Sequence, residues 1–343
     1  MEKLCRFGTN RVIEPKGVLP QAATKIDNTM IVKDNEILID VITLNIDSAS
    51  FTQIKQACNK DVNKMEEMIL DIVNTRGKMQ NPVTGSGGML IGVVKEVGSA
   101  YPVSTVQAGD KIATLVSLSL TPLKIDKIHS INITNDQVHI SGQAILFETG
   151  IFAKVPEDMD EHLVLAALDV AGAPAQVDKL VKEGDSVVII GAAGKSGVLC
   201  AYQAMKNAGP NGTVIGVVNE EWQVQLLQDL RLCHSVVLAD ATNALEVYDK
   251  VLAVNGEQVD VTINVVNVQN TEMSCILVTK DTGIVYFFSM ATSFTKAALG
   301  AEGVGSDVTM IIGNGYTKGH AELTLNLVNN APKIKALFEQ KYT

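Results

Sequence analysis

The sequence predicts an α/β protein of two domains, a β-rich one at residues 1–155 and a doubly wound parallel sheet at residues 156–343. Three observations predict it. A glycine-rich turn, Gly191-Ala192-Ala193-Gly194-Lys195-Ser196-Gly197, directly follows the apolar run at residues 187–190 and precedes a helical stretch at residues 198–207. From residue 156 onward β-like and helical segments alternate, which builds a parallel sheet because each parallel pairing needs a crossover. Before that point, short β-like runs separated by turns predominate.

In the first half the β-like runs fall at residues 37–44, 92–97, 111–116, 138–140 and 144–147. A helical segment at residues 51–76 interrupts them and carries Ile54, Ala57, Met65, Met68, Ile69 and Ile72. In the second half a helical segment at residues 161–182 leads into strands at 186–190, 213–218, 235–238, 259–265 and 283–289. Helices at 198–207, 222–232, 245–254 and 271–277 separate these strands. A glycine-rich loop with Gly300, Gly303 and Gly305 follows, then a strand at 308–312 and helical segments to residue 342.

Composition narrows the function. The net charge of −10 argues against a broad nucleic-acid or anionic-membrane surface, since both are held largely by Lys and Arg. There is no run of 18 apolar residues, and residues 1–6 lack the apolar core of a signal peptide, so a cytoplasmic location is expected. The five cysteines are scattered and odd in number, which favours free thiols over a zinc site, with Cys200 reading as core. His129, His139, His162, His234 and His320 show no metal spacing.

The order strand, glycine turn, helix is the one a dinucleotide needs. Gly191 permits the tight turn, Gly194 lets a pyrophosphate approach the backbone, and Gly197 lets helix and strand pack closely. The helix N-terminus beyond them offers free N–H groups and a partial positive charge. A plain strand-to-helix turn uses glycine too, so the heptad by itself leaves both readings open.

In such folds a carboxylate at the tip of the second strand usually accepts hydrogen bonds from the adenosine ribose of NAD. Asn219 occupies that tip, followed by Glu220 and Glu221. Either Glu220 reaches the ribose and repels a 2′-phosphate, or it simply opens the next helix, where carboxylates suit the dipole. No Arg occurs between Asn219 and Arg231, so NAD is slightly preferred and NADP stays open. Two loops, Val265-Val266-Asn267 and Ser289-Met290-Ala291-Thr292, fall where a nicotinamide would lie, although both also read as ordinary polar loop starts.

The segments at residues 87–98, 108–113 and 166–169, with the glycine turn, resemble the medium-chain dehydrogenase/reductase superfamily. The resemblance implies a Rossmann domain preceded by a GroES-like domain, and a homodimer built through the strand at 308–312. Zinc-binding members carry a ligand His where Gly88 and Met89 stand, and a ligand Cys within the stretch 44–48. Without such ligands a catalytic zinc has nothing to hold it, so no metal is expected. Residues 7–20, 44–51, 77–88 and 118–125 are similar, more specifically, to the L-erythro-3,5-diaminohexanoate dehydrogenases of bacterial lysine fermentation. That resemblance implies NAD(P)-dependent oxidative deamination of (3S,5S)-3,5-diaminohexanoate to (S)-5-amino-3-oxohexanoate.

Hydride leaves a carbon bearing nitrogen readily only when the amine is neutral, so a base must first take a proton from the ammonium. Asp47 and Ser48 lie where the superfamily places a catalytic ligand, and Asp169 sits in an apolar run beside another such stretch. Glu148 ends the run at 144–147 and is a further candidate. Asp47 reads equally as a cap for the following helix. Arg11, Arg76, Lys78 and Lys124 are candidates for the substrate carboxylate, each also readable as local support. A zinc-free enoyl or quinone reductase, or a non-catalytic nucleotide sensor, is the alternative.

Overall fold

The computed structural model describes residues 5–103, 105–313 and 315–342, so the start of the chain at residues 1–4 lies outside the described residues. Two compact units divide between Asp169 and Val170.

The first unit contains β1 (Val12–Glu14), β2 (Lys25–Ile26), β3 (Glu36–Ile46), α1 (Ser48–Ala57), α2 (Val62–Arg76), β4 (Gly88–Val97), β5 (Lys111–Thr114), β6 (Leu123–Asn132), β7 (Gln137–Phe147), β8 (Phe152–Lys154) and α3 (Glu161–Leu168). Six strands form one antiparallel sheet in the order β6-β7-β3-β4-β5-β8, and β1 pairs separately with β2. The central strand β3 is buried along nearly its whole length. Its Ile37, Ile39, Leu44 and Ile46 pack with Phe51 and Ile54 of α1 and with Met65 and Ile69 of α2. Beside this core, the Arg11 guanidinium makes a bidentate pair with Glu36 at 2.7 and 2.6 Å and donates to the carbonyls of Thr29 and Ile31.

Several elements differ from the sequence expectation. The helix expected at 51–76 is two helices, because Asn59 and Lys60 take left-handed φ values of 50° and 62° and Asp61 caps α2 through the N–H groups of Asn63 and Lys64. The runs at 138–140 and 144–147 are one strand, β7, and its partner β6 was not expected at all. Alternating charged residues in β6 give it the burial of an exposed edge strand, which hides it from a search for apolar runs. The expected boundary at residue 155 falls short of the division at 169, because α3 is tied to the first unit: Lys111 pairs with Glu161, and Gln137 hydrogen-bonds His162.

The second unit contains α4 (Gly172–Leu180), β9 (Ser186–Ile190), α5 (Lys195–Ala208), β10 (Thr213–Val218), α6 (Glu221–Leu230), β11 (Ser235–Leu238), α7 (Ala244–Asn255), β12 (Val259–Asn264), α8 (Glu272–Val278), β13 (Thr279–Phe287), α9 (Phe294–Val304), β14 (Thr309–Ile312), α10 (His320–Asn330) and α11 (Pro332–Tyr342). All neighbouring strands are parallel, in the order β11-β10-β9-β12-β13-β14. That is the doubly wound order whose direction reverses between the first and fourth strands, here β9 and β12. The loop expected around Gly300 and Gly303 is instead helix α9, capped by Ser293. Gly300 lies inside this helix against the Met273 side chain of α8 and does not mark a turn. Among the described residues no helix is long and apolar enough to cross a membrane.

Candidate functional site

In the second unit, a cavity of about 400 Å³ opens at the carboxyl ends of β9, β10, β11 and β12, beside the point where the strand order reverses. Open α/β sheets bind ligands at such a point. Gly191 has a φ of +86°, and a Cβ there would lie 2.9 Å from the Val266 Cβ, so only glycine turns the chain here. Gly197 is equally constrained, since a Cβ would fall 2.6 Å from the Ala192 carbonyl carbon. Gly194 is different: its nearest neighbour would be the Gly191 carbonyl oxygen at 3.5 Å, which leaves space above the turn. The N-cap of α5 is Gly194 itself, which has no side chain to cap the helix, so the first turn of α5 begins beside that space. Open space and the N-terminus of a helix therefore coincide at this turn.

The far wall is fixed by Asn264, fully buried, whose Nδ2 donates to Thr271 Oγ1 at 2.9 Å while its Oδ1 accepts from the Val266 N–H at 3.3 Å. This holds Val266 and Asn267 against the cavity. Asn219 lines it as expected, with its N–H donated to Gln223 Oε1, but Glu220 does not. Glu220 occupies the N-cap of α6, makes no side-chain capping bond and is exposed. Asp240, beyond β11, lines the cavity instead. The Thr242 backbone N–H, then its hydroxyl, hold this carboxyl below its usual range. No Lys or Arg is among the described lining residues. In the later loop, Ser289 is buried and accepts from the Ala291 N–H, Met290 is three-quarters exposed, and the buried Thr292 hydroxyl has no hydrogen-bond partner among the described residues.

In the first unit, Asp47 caps α1 by accepting from the Ser50 N–H through Oδ1 at 3.1 Å. Its other oxygen, Oδ2, is buried and has no hydrogen-bond partner among the described residues. Ser48 is engaged, donating to Asp136 Oδ2 at 3.0 Å. Asp169 ends α3, about 10 Å along the helix axis from His162. Glu148 is not brought to this place: Phe147 pairs with Glu36 at the start of β3, whereas Asp47 follows its end, roughly 30 Å away along the strand. Glu148 instead faces Arg6 at 3.7 Å and accepts from Asn35 at 3.3 Å.

The cation candidates are also occupied. Arg11 is buried against Glu36, Lys124 pairs with Asp126, and Arg76 donates to Gln80. Lys78, fully buried, donates to the carbonyls of Pro20 and Gln21 at 2.6 and 3.4 Å. Burial, then the nearby Arg76 charge, push its amine down to about 8. Burial pushes the Cys200 thiol far up, consistent with an inert core residue. Gly88 has a φ of +111° and abuts the Asn45 carbonyl oxygen, so no side chain fits there without strain. Among the described residues no group of three or more His, Cys, Asp or Glu is placed to hold a metal ion.

The family model for the L-erythro-3,5-diaminohexanoate dehydrogenase N-terminal domain matches residues 10–156. The protein of that name from Acetoanaerobium sticklandii is 59% identical over 342 residues, covering 99% of both chains. Its namesake from Fusobacterium nucleatum is 59% identical over 344 residues, covering 100% of both. The chain belongs to the L-erythro-3,5-diaminohexanoate dehydrogenase family. Among solved structures, CurK enoyl reductase matches with a TM-score of 0.55 at 17% identity, covering 92% of this chain and 83% of that one. The quinone oxidoreductase from Coxiella burnetii matches with a TM-score of 0.55 at 18% identity, covering 94% and 93%. The diaminohexanoate dehydrogenase family thus shares the architecture of those reductases.

In this diaminohexanoate dehydrogenase family member, Asp240, Gln137 and the neighbouring Asn135, whose Nδ2 donates to Gln137 Oε1 at 3.3 Å, were not singled out from the sequence, and His162, held by Gln137, was passed over. Asp240 was findable, since it follows a strand expected at 235–238 whose carboxyl end borders the crevice. The others depend on pairing between distant strands, for which the sequence carries no local mark.

Proposed function

We propose that the protein catalyses the NAD(P)-dependent oxidative deamination of (3S,5S)-3,5-diaminohexanoate to (S)-5-amino-3-oxohexanoate, with release of ammonia. The observation that carries this reading is identity of 59% along the whole chain to two proteins named for that dehydrogenase activity. The glycine turn and the cavity beside it support a dinucleotide site, and an acidic residue with one unsatisfied oxygen supports an amine substrate.

A bound nicotinamide would accept the hydride from C3 of the substrate. The chain's own tasks are to seat the dinucleotide and to manage protons. The open space at Gly194 and the N–H groups of α5 take the pyrophosphate. Asp47 takes a proton from the C3 ammonium through Oδ2, freeing the nitrogen lone pair that drives hydride departure, while Oδ1 stays fixed by Ser50. Water then adds to the iminium carbon and ammonia leaves. Substrate ammonium, oxidised cofactor and water thereby give ketone, ammonium ion, reduced cofactor and one proton. An amine develops no oxyanion in the hydride step, so this chemistry needs no metal at the position of Gly88.

We favour NAD over NADP, because Asn219 and Asp240 border the ribose end of the cavity and no cation lines it to meet a 2′-phosphate. We also propose a homodimer through β14, an edge strand whose Ile312 is more than half exposed. The deciding experiment follows reduction of NAD and of NADP by ultraviolet absorbance with 3,5-diaminohexanoate at mildly alkaline pH. Turnover with the diamino acid is expected. Turnover of an enone or a quinone in its place would overturn the reading, and a purely monomeric sedimentation profile would remove the dimer.

A further inference from the structure

Of the buried acceptor oxygens in the first unit that have no hydrogen-bond partner among the described residues, two flank one contact: Asp47 Oδ2 and Asn135 Oδ1. Residues on both sides of Asp47 grip Asp136. The Ile46 N–H donates to the Asp136 carbonyl at 3.1 Å, and Ser48 Oγ donates to Asp136 Oδ2 at 3.0 Å. Asn135 is the chain neighbour of Asp136, at the turn between β6 and β7. Asp136 has a left-handed φ of 61°, which turns the chain so that Asn135 folds back toward Gln137.

The orientation of Asn135 follows from its neighbours. Its Nδ2 donates to Gln137 Oε1 at 3.3 Å, and that same oxygen is held by His162 Nδ1. Gln137 is almost completely buried and is paired in register with Asn45 of β3, so it cannot swing away. With the donor side of the amide committed, only the carbonyl oxygen of Asn135 is left to be satisfied. Two buried acceptors in one neighbourhood, one of them a carboxylate oxygen, call for a group that donates and does not accept. A primary ammonium, with three N–H donors and no acceptor, meets that requirement, whereas a hydroxyl supplies one donor. His162 also lines a separate cavity of about 850 Å³, so this polar chain begins at open space.

We infer that Asp47 Oδ2 and Asn135 Oδ1 together receive the reacting ammonium of the substrate and select it over a hydroxyl, with Gln137 as the positioning residue for Asn135. This rests on the diamino acid dehydrogenase reading above and adds a second substrate contact to it. Asn135 keeps a hydrogen bond to the nitrogen after Asp47 has taken its proton.

The test compares wild type with Asn135→Leu, Asn135→Asp, Gln137→Leu and Gln137→Glu. It reads KM for 3,5-diaminohexanoate, Ki for the analogue with hydroxyl at C3, and the dissociation constant of NADH by fluorescence. Loss of a hydrogen bond to a charged group predicts a rise in KM of about 10- to 100-fold in Asn135→Leu. Ki for the hydroxyl analogue should stay within about twofold, on the same argument that a hydroxyl gains little from the second acceptor, and NADH affinity should not move. Asn135→Asp keeps an acceptor but loses the donor to Gln137 Oε1, so its KM should fall between those of wild type and Asn135→Leu, and Gln137→Glu should rescue what Gln137→Leu loses. Unchanged KM in Asn135→Leu, or equal losses for amine and hydroxyl ligands, would overturn the inference while leaving the enzyme reading intact. Absence of wild-type turnover would defeat the reading itself, and the inference with it.

Discussion

A Cβ placed on Gly197 would collide with the carbonyl oxygen of Gly191, six residues earlier at the start of the same turn. The helix α5 therefore enters directly over the turn that follows β9, and its N-terminus lies beside the space at Gly194. Gly197→Ala should lower stability by about 1–3 kcal/mol, because backbone atoms must move to admit the methyl group. Gly194→Ala meets no such obstacle, with 3.5 Å to the nearest atom, but its methyl group occupies the space assigned to the pyrophosphate. Thermal melting with NADH titration separates the two: the first variant should melt earlier, the second should melt as wild type yet bind NADH at least tenfold more weakly. Normal NADH binding by Gly194→Ala would refute the placement of the phosphates.

Asp47 caps α1 and, in the proposed mechanism, also takes the substrate's proton; Asn can replace it only as the cap. Asn and Asp are comparable N-caps, so Asp47→Asn should keep the bond to the Ser50 N–H and shift stability by only a few tenths of a kcal/mol. As a proton acceptor the amide is useless, and kcat should fall by about 100-fold or more, within the range for removal of a general base. Asp47→Ala should lose the same activity and, in addition, about 1 kcal/mol of stability with the cap. Steady-state kinetics beside urea unfolding would test both; a fully active Asp47→Asn variant would move the base elsewhere.

At the ribose end, Asp240 is held in its charged form by the Thr242 backbone N–H and hydroxyl. Its pKa is lowered, so the charge persists throughout the neutral and alkaline range and cofactor preference should not vary with pH there. Asp240→Asn removes the repulsion toward a 2′-phosphate but keeps a hydrogen-bonding side chain. The ratio of kcat/KM for NADP to that for NAD should rise severalfold, mainly through KM for NADP. An unchanged ratio would point to Asn219 or to residues outside the cavity wall as the discriminating groups.

What the sequence made legible was whatever is enforced locally. Gly191 and Gly197 are glycines because backbone crowding at each position excludes a side chain, so the residue type itself records the turn. The β9-to-β13 alternation is legible for a similar reason, since buried parallel strands must be continuous apolar runs. Gly300 misled because a glycine inside a helix costs about 1 kcal/mol and normally signals a break, yet here it lies within α9 against the Met273 side chain of α8. Asn135 was invisible because its significance comes from the β3–β7 register, which sets residues some ninety positions apart side by side. Glu148 and Asp47 read alike as strand-end carboxylates, and only the antiparallel direction of β7 relative to β3 sends them to opposite ends of the sheet.

Lys78 offers a test of the first unit that is independent of catalysis. Among the described residues its ammonium donates to two carbonyls and to no carboxylate, and burial is the main cause that brings its pKa from 10.5 down to about 8. Above pH 10.5 the amine is neutral in both folded and unfolded chains, so this group adds no penalty. As pH falls from 10.5 toward 8, the unfolded chain takes up the proton first, and stability declines. Below pH 8 both states are protonated and the penalty is constant. Between pH 8 and pH 10 wild type should therefore gain roughly 2 kcal/mol relative to Lys78→Met, which has no amine to titrate. At neutral pH the variant leaves the Pro20 carbonyl without its donor, a loss of about 1–3 kcal/mol that opposes the relief of the buried charge. The informative quantity is thus the slope with pH and not the offset at one pH. Urea midpoints for both proteins at pH 8, 9 and 10 would give it, and parallel slopes would show that the Lys78 amine titrates as it does in the unfolded chain.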